Sequence, residues 1–164
     1  MSVYLLLVFV HILAVFAFLM AHGVSVAVAF ALKRERNLDH IRVLMNLSGA
    51  SIGVVHISLL VVLVLGVVMG FMGKWWGHGW IWVSLGLLIA MYVYMGLAGS
   101  GFYGKVRKAV GQEYMVAGKM HQADEPASQE VIDALLNKAN PALLAVVGYA
   151  AIILLNWLMK FKPF

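Results

Sequence analysis

The sequence predicts an all-α protein, an integral membrane four-helix bundle with its N- and C-termini outside. Of its 164 residues, 63% are hydrophobic and 12% are charged, and the mean hydropathy is +0.93. A soluble domain has about 45–50% apolar and about 25% charged residues. Four apolar stretches, each at or near the roughly 20 residues that cross a bilayer, occupy most of the chain. We therefore predict one four-helix transmembrane domain over residues 1–164.

The membrane helices are predicted at about residues 3–32, 44–72, 80–103 and 141–159. The first has no basic segment before its apolar run, which is typical of a retained helix rather than a cleaved signal peptide. Asn140 and Pro141 supply an N-cap and a first-turn proline for the fourth helix. Within the loop 104–140, residues 126–139 carry apolar side chains at helical spacing. They predict a short amphipathic helix on the membrane surface.

Basic residues distinguish the two sides of the membrane. They are Lys33, Arg34, Arg36 and Arg42 in the first link, and Lys105, Arg107, Lys108, Lys119 and Lys138 after the third helix. Positive charge concentrates in cytoplasmic loops, so both links should face the cytoplasm of a bacterial inner membrane. Because the net charge of +5 flanks membrane helices instead of forming one patch, we expect membrane lipid, and no nucleic acid, as a partner.

The absence of cysteine limits the cofactors that the chain can hold. Thiolate zinc sites, iron–sulfur clusters and c-type haem attachment are excluded. A metal or cofactor must bind through histidine, methionine or oxygen atoms. Histidines inside membrane helices are the first candidates, because ionisable residues are rare in hydrocarbon and usually functional.

His22 and His56 are predicted as the axial ligands of a haem b. They lie on antiparallel helices at similar distances from the cytoplasmic ends, and six-coordinate haem b requires two facing imidazoles at one depth. Gly49 and Gly53 precede His56 on nearly the same face, where a porphyrin would press against backbone. The alternative role of both histidines is structural, as interhelical hydrogen-bonding groups.

His11 shares the face of the first helix that carries His22, roughly 16 Å away along the axis. No second membrane histidine lies at its depth. His78, in the outer turn, would be its partner in a second haem if that turn folds inward, and is otherwise a polar loop residue. The prediction is thus one haem b or two, and two would carry electrons across the bilayer.

Copper is the alternative metal. His11, Met69 and Met72 form the candidate set, because imidazole and thioether suit copper, and the chain would then be a copper transport or accessory protein. Methionine is also a common filler of apolar packing. A non-redox packing subunit of a larger membrane complex is therefore a third class.

Three segments carry a family resemblance: VHILAVFAF, which contains His11, the basic KRERN, and the closing LLNWLMKFKPF. Over nearly its full length the chain resembles a group of bacterial four-helix membrane proteins. The group includes the copper-resistance D family, an uncharacterised integral-membrane family and the membrane protoporphyrinogen oxidases. Resemblance to the oxidases implies haem ligation by His11 and a haem-synthesis activity. The sequence departs from them by lacking an acidic-arginine stretch after the start of the second helix and a lysine within the third.

The layout is also similar to small b-type cytochromes, such as superoxide oxidases and the cytochrome subunits of respiratory enzymes. The leading hypothesis is a membrane-embedded b-type cytochrome that transfers single electrons, as a subunit or partner of a respiratory or oxidase system. Its partner would be a quinone or a redox protein. Homo-oligomer and complex subunit both stay open.

Overall fold

The computed structural model describes residues 2–116 and 119–164, without the side chains of residues 98–100 and 116. Its helices are α1 (Val3–Arg34), α2 (Leu38–Met72), α3 (Gly79–Ala109), α4 (Gln129–Asn137) and α5 (Pro141–Phe161), with a 3₁₀ turn at Trp75–Gly77. Its strands are β1 (Tyr114–Val116) and β2 (Lys119–His121).

Four helical segments are long and apolar enough to cross a membrane: α1, α2, α3 and the stretch Gln129–Phe161 that contains α5. The predicted all-α, four-helix membrane class is confirmed, and the chain is a multi-pass membrane protein. α1 packs most extensively against α2, and α3 packs against α5. We call the end of the bundle that carries Trp75, Trp76 and Trp80 the tryptophan end, and the opposite end, with the two basic links, the basic end.

Capping side chains define where the helices begin. The Ser2 hydroxyl accepts a hydrogen bond from the Leu5 amide at 3.3 Å, which starts α1. The Asn37 side chain accepts from the amides of Asp39 and His40 at 2.9 and 3.2 Å, so α2 begins at Leu38 and not at the predicted residue 44. That first turn is polar, and hydropathy alone does not find it. A capped polar turn nevertheless satisfies the first amides of a helix.

The basic end is tied together by side chains that donate to backbone carbonyls. α3 continues past the predicted residue 103 to Ala109, and its Arg107 donates from Nη2 to the Met45 carbonyl at 2.6 Å. Arg42 donates from Nε to the Val110 carbonyl at 2.9 Å. Lys33 donates from Nζ to the Ala139 carbonyl at 3.1 Å. These bonds join α1, α2, α3 and the α4–α5 link.

The amphipathic helix α4 lies within the predicted segment 126–139 and covers the basic end. Its Ile132 and Leu136 are buried in a cluster with Leu32, Ile41 and Val110, whereas Val131 is exposed. A short antiparallel hairpin of β1 and β2 precedes it, with Tyr114 opposite His121. The sequence predicts a loop in the hairpin region, because two three-residue strands carry too little alternation to be recognised.

The tryptophan end gathers three distant parts of the chain. The Tyr4 ring meets the Trp75 ring edge-on with centroids 6.3 Å apart, and Trp75 packs against Trp80 at 5.5 Å. The Trp80 amide donates to the Phe164 carbonyl at 3.1 Å. The start of α1, the α2–α3 turn and the segment after α5 therefore close this end of the bundle together.

Candidate cofactor site

The buried face of α1 carries both of its histidines. Its buried residues recur every three or four positions and include His11, Phe18 and His22, the period expected when one helical face packs against neighbours. His11 is 7% exposed and His22 is 1% exposed. The predicted sharing of one face is therefore what the fold displays, with both rings turned to the interior.

His11 lines a cavity of about 280 Å³ in the tryptophan half of the bundle. The cavity extends along α1 from Tyr4 to Phe18, which is about 21 Å at 1.5 Å per residue. Apolar side chains form most of the wall, and polar groups are few: the main ones are His11, Ser84, Asn156 and Lys162. Ser84 is already satisfied, because its hydroxyl donates to the Trp80 carbonyl at 2.8 Å. A mostly apolar cavity with few polar groups is typical of a small-molecule site, and this volume lies just below the usual range of about 300–1,000 Å³.

The imidazole of His11 lies against α2 and carries a nitrogen without a hydrogen-bond partner in the described part of the chain. Nδ1 is buried and has no hydrogen-bond partner among the described residues. The Val62 backbone lies beside the ring, and Gly66 lies so close that an added Cβ would be 3.6 Å from Cε1. Burying a polar atom without a partner is costly, and neutral imidazole is a common metal ligand. The orphaned nitrogen therefore fits a bound metal or cofactor.

Two thioethers lie in the wall of the same cavity. Met69 is 6% exposed and Met91 is 3% exposed, and both line the cavity with His11. Met72, the other methionine of the copper hypothesis, is exposed and does not line it. Thioether and imidazole together can ligate haem iron or copper, so the cavity brings a suitable donor set together. Met91 was not in the predicted set.

His22 occupies a different place, between α1 and α5. Its ring lies parallel to Phe18, with centroids 5.9 Å apart and planes 8° apart, and meets the edge of Tyr149 at 5.0 Å. A Cβ at Gly148 would overlap the imidazole at Nε2, so that glycine makes room for the ring. Nε2 has no hydrogen-bond partner in the described part of the chain. Phe18 lines the cavity and His22 does not, so His22 lies outside the cavity.

His56 does not meet His22. It is exposed on α2, its Nδ1 lies 2.8 Å from the Ile52 carbonyl, and its ring meets the edge of Tyr92 of α3 at 5.4 Å. The predicted axial pair is therefore not assembled within this chain. The reason is rotation: the buried stripe of α2 includes Val55, and the next residue is turned about 100° from it. Equal depth in the membrane does not by itself place two imidazoles opposite each other. The two helices must also turn these side chains toward each other.

The two glycines before His56 do not form a porphyrin-sized strip. Gly49 leaves space for the side chain of Arg107, because a Cβ at position 49 would lie 2.8 Å from Nη2 of Arg107. Gly53 is exposed, and an added Cβ would meet no described heavy atom within 4 Å. Gly49 thus makes room for the Arg107 contact to the α2 backbone.

His78 is an exposed turn residue immediately before α3. Its amide donates to the Trp75 carbonyl at 2.9 Å, its side chain makes no capping bond, and it does not line the cavity with His11. The inward-folded partner for His11 is not formed. Within the described ranges, no three histidine, aspartate or glutamate side chains group as a metal cluster.

Sequence reasoning missed two polar residues of the cavity, Asn156 and Lys162. Asn156 carried a signal, because a polar amide within an apolar membrane helix is uncommon and usually faces protein or a cavity. Lys162 carried none, since a lysine just beyond a membrane helix is ordinary.

The fold and the cavity define a four-helix membrane protein with a histidine- and methionine-bearing internal site. Comparison with known proteins adds no relative: no protein-family model, no curated protein and no solved structure matches the chain.

Proposed function

We propose that the chain is a membrane-embedded b-type haem protein that transfers single electrons, with one haem in the cavity that His11 would hold. The observation that carries the proposal is the buried, unpartnered Nδ1 of His11 in the wall of an apolar cavity. The proposal is for one haem, because neither predicted histidine pair is assembled in the chain.

The residues around His11 have defined tasks in this proposal. His11 would hold the metal through a neutral ring nitrogen, the form of imidazole that binds metal ions. Met69 and Met91 are the candidates for a second residue that would hold the haem, and methionine ligation would raise its reduction potential. When bound, haem supplies reversible one-electron chemistry at its iron. Apolar walls exclude water, and low solvent access also tunes the potential.

Phe18 and the tryptophan end determine where electrons are exchanged. Phe18 ends the cavity toward the basic end, so the proposed haem is closer to the tryptophan end. With basic links in the cytoplasm of a bacterial inner membrane, that end faces outside. A quinone in the bilayer or a redox protein outside is then the proposed partner, and the chain serves one side of the membrane.

The second candidate function is a copper(I) site, favoured by two buried thioethers in the same cavity as His11. Soft thioether and imidazole ligands suit copper(I). In that case the protein would be a copper transport or accessory protein.

The experiment that separates the two uses the full chain purified in detergent from haem-replete, copper-replete cells. Oxidised and dithionite-reduced visible spectra are recorded, with a pyridine haemochrome count and a copper count per chain. The proposal predicts sharp reduced bands and about one haem per chain. A colourless protein that loses one copper per chain to a chelator would replace it with the copper function.

A further inference from the structure

Lys162 lies at the tryptophan end of the cavity in a fixed position. It follows α5 with φ 45° and ψ 58°, in the left-handed region, and its amide donates to the Leu158 carbonyl at 2.9 Å. Its Nζ lies 4.1 Å from the ring centroid of Trp75 and 5.5 Å from that of Trp80. A cation over aromatic faces is attracted by their quadrupoles, so the ammonium is held at the indole surface.

Among the described residues, no acidic side chain forms an ion pair with this ammonium. All seven acidic residues of the chain lie between residues 35 and 133, in the links, in the first turn of α2 and in α4, all at the basic end. The salt bridges between described residues are also at that end, and none includes Lys162. The tryptophan end therefore presents an ammonium that can accept an anionic partner.

The same cavity joins Lys162 to His11. Lys162, Trp75 and Trp80 line it together with His11, and Tyr4, which touches Trp75, lies about 10 Å along α1 from His11 at 1.5 Å per residue. A cation thus lies toward one end, an unpartnered imidazole lies deeper, and mostly apolar wall lies between them. A ligand matched to this arrangement has an apolar body and an anionic group at one edge.

We propose that Lys162, Trp75 and Trp80 form a carboxylate-binding subsite for the occupant of the cavity. The inference rests on the proposed function, because haem b has an apolar macrocycle with two propionate carboxylates on one edge. Lys162 donates a charge-assisted hydrogen bond to the carboxylate, and the indoles pack on the adjacent apolar edge. This contact orients the propionates toward the tryptophan end. A fatty-acid carboxylate has the same chemistry and is the other source of such a ligand.

The test compares haem b with its dimethyl ester, which lacks the carboxylate charges. Full-length protein is purified in detergent from haem-deficient cells, and apparent Kd values are measured by Soret titration and tryptophan quenching. The expected result is that Lys162→Met weakens haem b binding about tenfold, the size of one partly exposed charged hydrogen bond, and leaves ester binding unchanged. Lys162→Arg restores most of the affinity.

Lys160→Met is the matched control, because Lys160 is exposed on the same end and does not line the cavity. It should bind both haems as the unmodified chain does. Each variant is first checked for an unchanged elution volume and melting temperature, and Lys162→Gln replaces Lys162→Met if the latter does not fold. Equal losses for acid and ester, or no loss for either, would overturn the subsite.

Laurate distinguishes the source of the carboxylate and keeps the two proposals separate. If haem fails to bind but laurate quenches tryptophan fluorescence in a Lys162-dependent way, the subsite stands and the haem function fails. If His11→Ala abolishes the haem spectrum while Lys162→Met affects neither haem nor laurate, the haem function stands and the subsite fails.

Discussion

The His22 ring lies parallel to the Phe18 ring, with centroids 5.9 Å apart and planes 8° apart, and Phe18 lines the same cavity as His11. Two histidines on one face of α1 therefore belong to two separate environments. His11 borders a space in which a ligand can lie, whereas His22 is packed between aromatic rings and the backbone of α5.

Gly148→Ala should destabilise the protein by about 1–3 kcal/mol, the usual cost of overpacking a buried site. The added methyl group would overlap the His22 ring. Most of the cost should disappear when the same change is made together with His22→Ala. Unfolding in detergent with increasing SDS measures the free energies, and Gly53→Ala, where a Cβ meets nothing within 4 Å, is the control. Equal costs with and without His22 would show that α5 does not press on this ring.

Gly66→Leu should weaken haem binding about tenfold, corresponding to about 1.4 kcal/mol, with the fold retained. Gly66 lines the cavity, and its Cβ position is 3.6 Å from Cε1 of His11, so a larger side chain takes space beside the ligand nitrogen. Gly66→Ala should be tolerated, because 3.6 Å is an ordinary contact. Haem content per chain after purification is the measurement. Normal content in the leucine variant would place the haem elsewhere.

One of Met69→Leu and Met91→Leu should lower the haem reduction potential by on the order of 0.1 V, a fraction of the about 0.8 V that axial ligands span. Leucine conserves the packing volume and removes the thioether, whose ligation raises the potential. The other variant should shift the potential little. Spectroelectrochemical titration of both proteins decides which sulfur is the ligand. Unchanged potentials in both would exclude methionine ligation.

Glu35 should make the first link more stable at neutral than at acid pH. Its carboxylate accepts from the amides of Asn37 and Arg36 at 3.0 and 2.8 Å and lies 3.3 Å from Nδ1 of His40. The Asn37 and Arg36 amides, and then His40, hold the pKa of Glu35 below its ordinary value. A lowered pKa in the folded state contributes stability that is complete above the ordinary pKa and lost as the pH falls through the lowered one.

Glu35→Gln should therefore flatten the pH dependence below the ordinary pKa of a glutamate, as followed by hydrogen exchange of the link amides. The control is Glu130→Gln, in α4. Gln112→Glu is not suitable, because Gln112 donates hydrogen bonds to the Arg42 carbonyl and the Asn46 side chain. An unchanged pH profile in Glu35→Gln would refute the assignment.

Hydropathy and charge were sufficient to predict the class of fold. An apolar span of this length has few alternatives to a helix in a bilayer, because its backbone hydrogen bonds must be made within the protein. The shared face of His11 and His22 was also predictable, since eleven residues are close to a whole number of helical turns. The rotation of α2 about its own axis was not predictable. The membrane-spanning part of α2 is apolar on all sides, so no hydrophobic stripe identifies the side that is buried.

The small residues of α2 carried the missing signal. Ser48, Ser51 and Ser58 are buried, and small side chains mark the faces where membrane helices approach closely. The positions of these serines predict which side of α2 is buried, and His56 does not lie on that side. The cavity itself was beyond sequence reasoning, because it depends on how Met91, Asn156 and Lys162 from α3, α5 and the following segment meet His11.

The deciding measurement is the number of haems per chain in His11→Ala beside His56→Ala, each purified from haem-replete cells and assayed by pyridine haemochrome. We expect His11→Ala to lose its haem and the reduced bands, and His56→Ala to keep about one haem with an unchanged spectrum. Retention of haem in His11→Ala together with its loss in His56→Ala would rule out His11 as the residue that holds the haem.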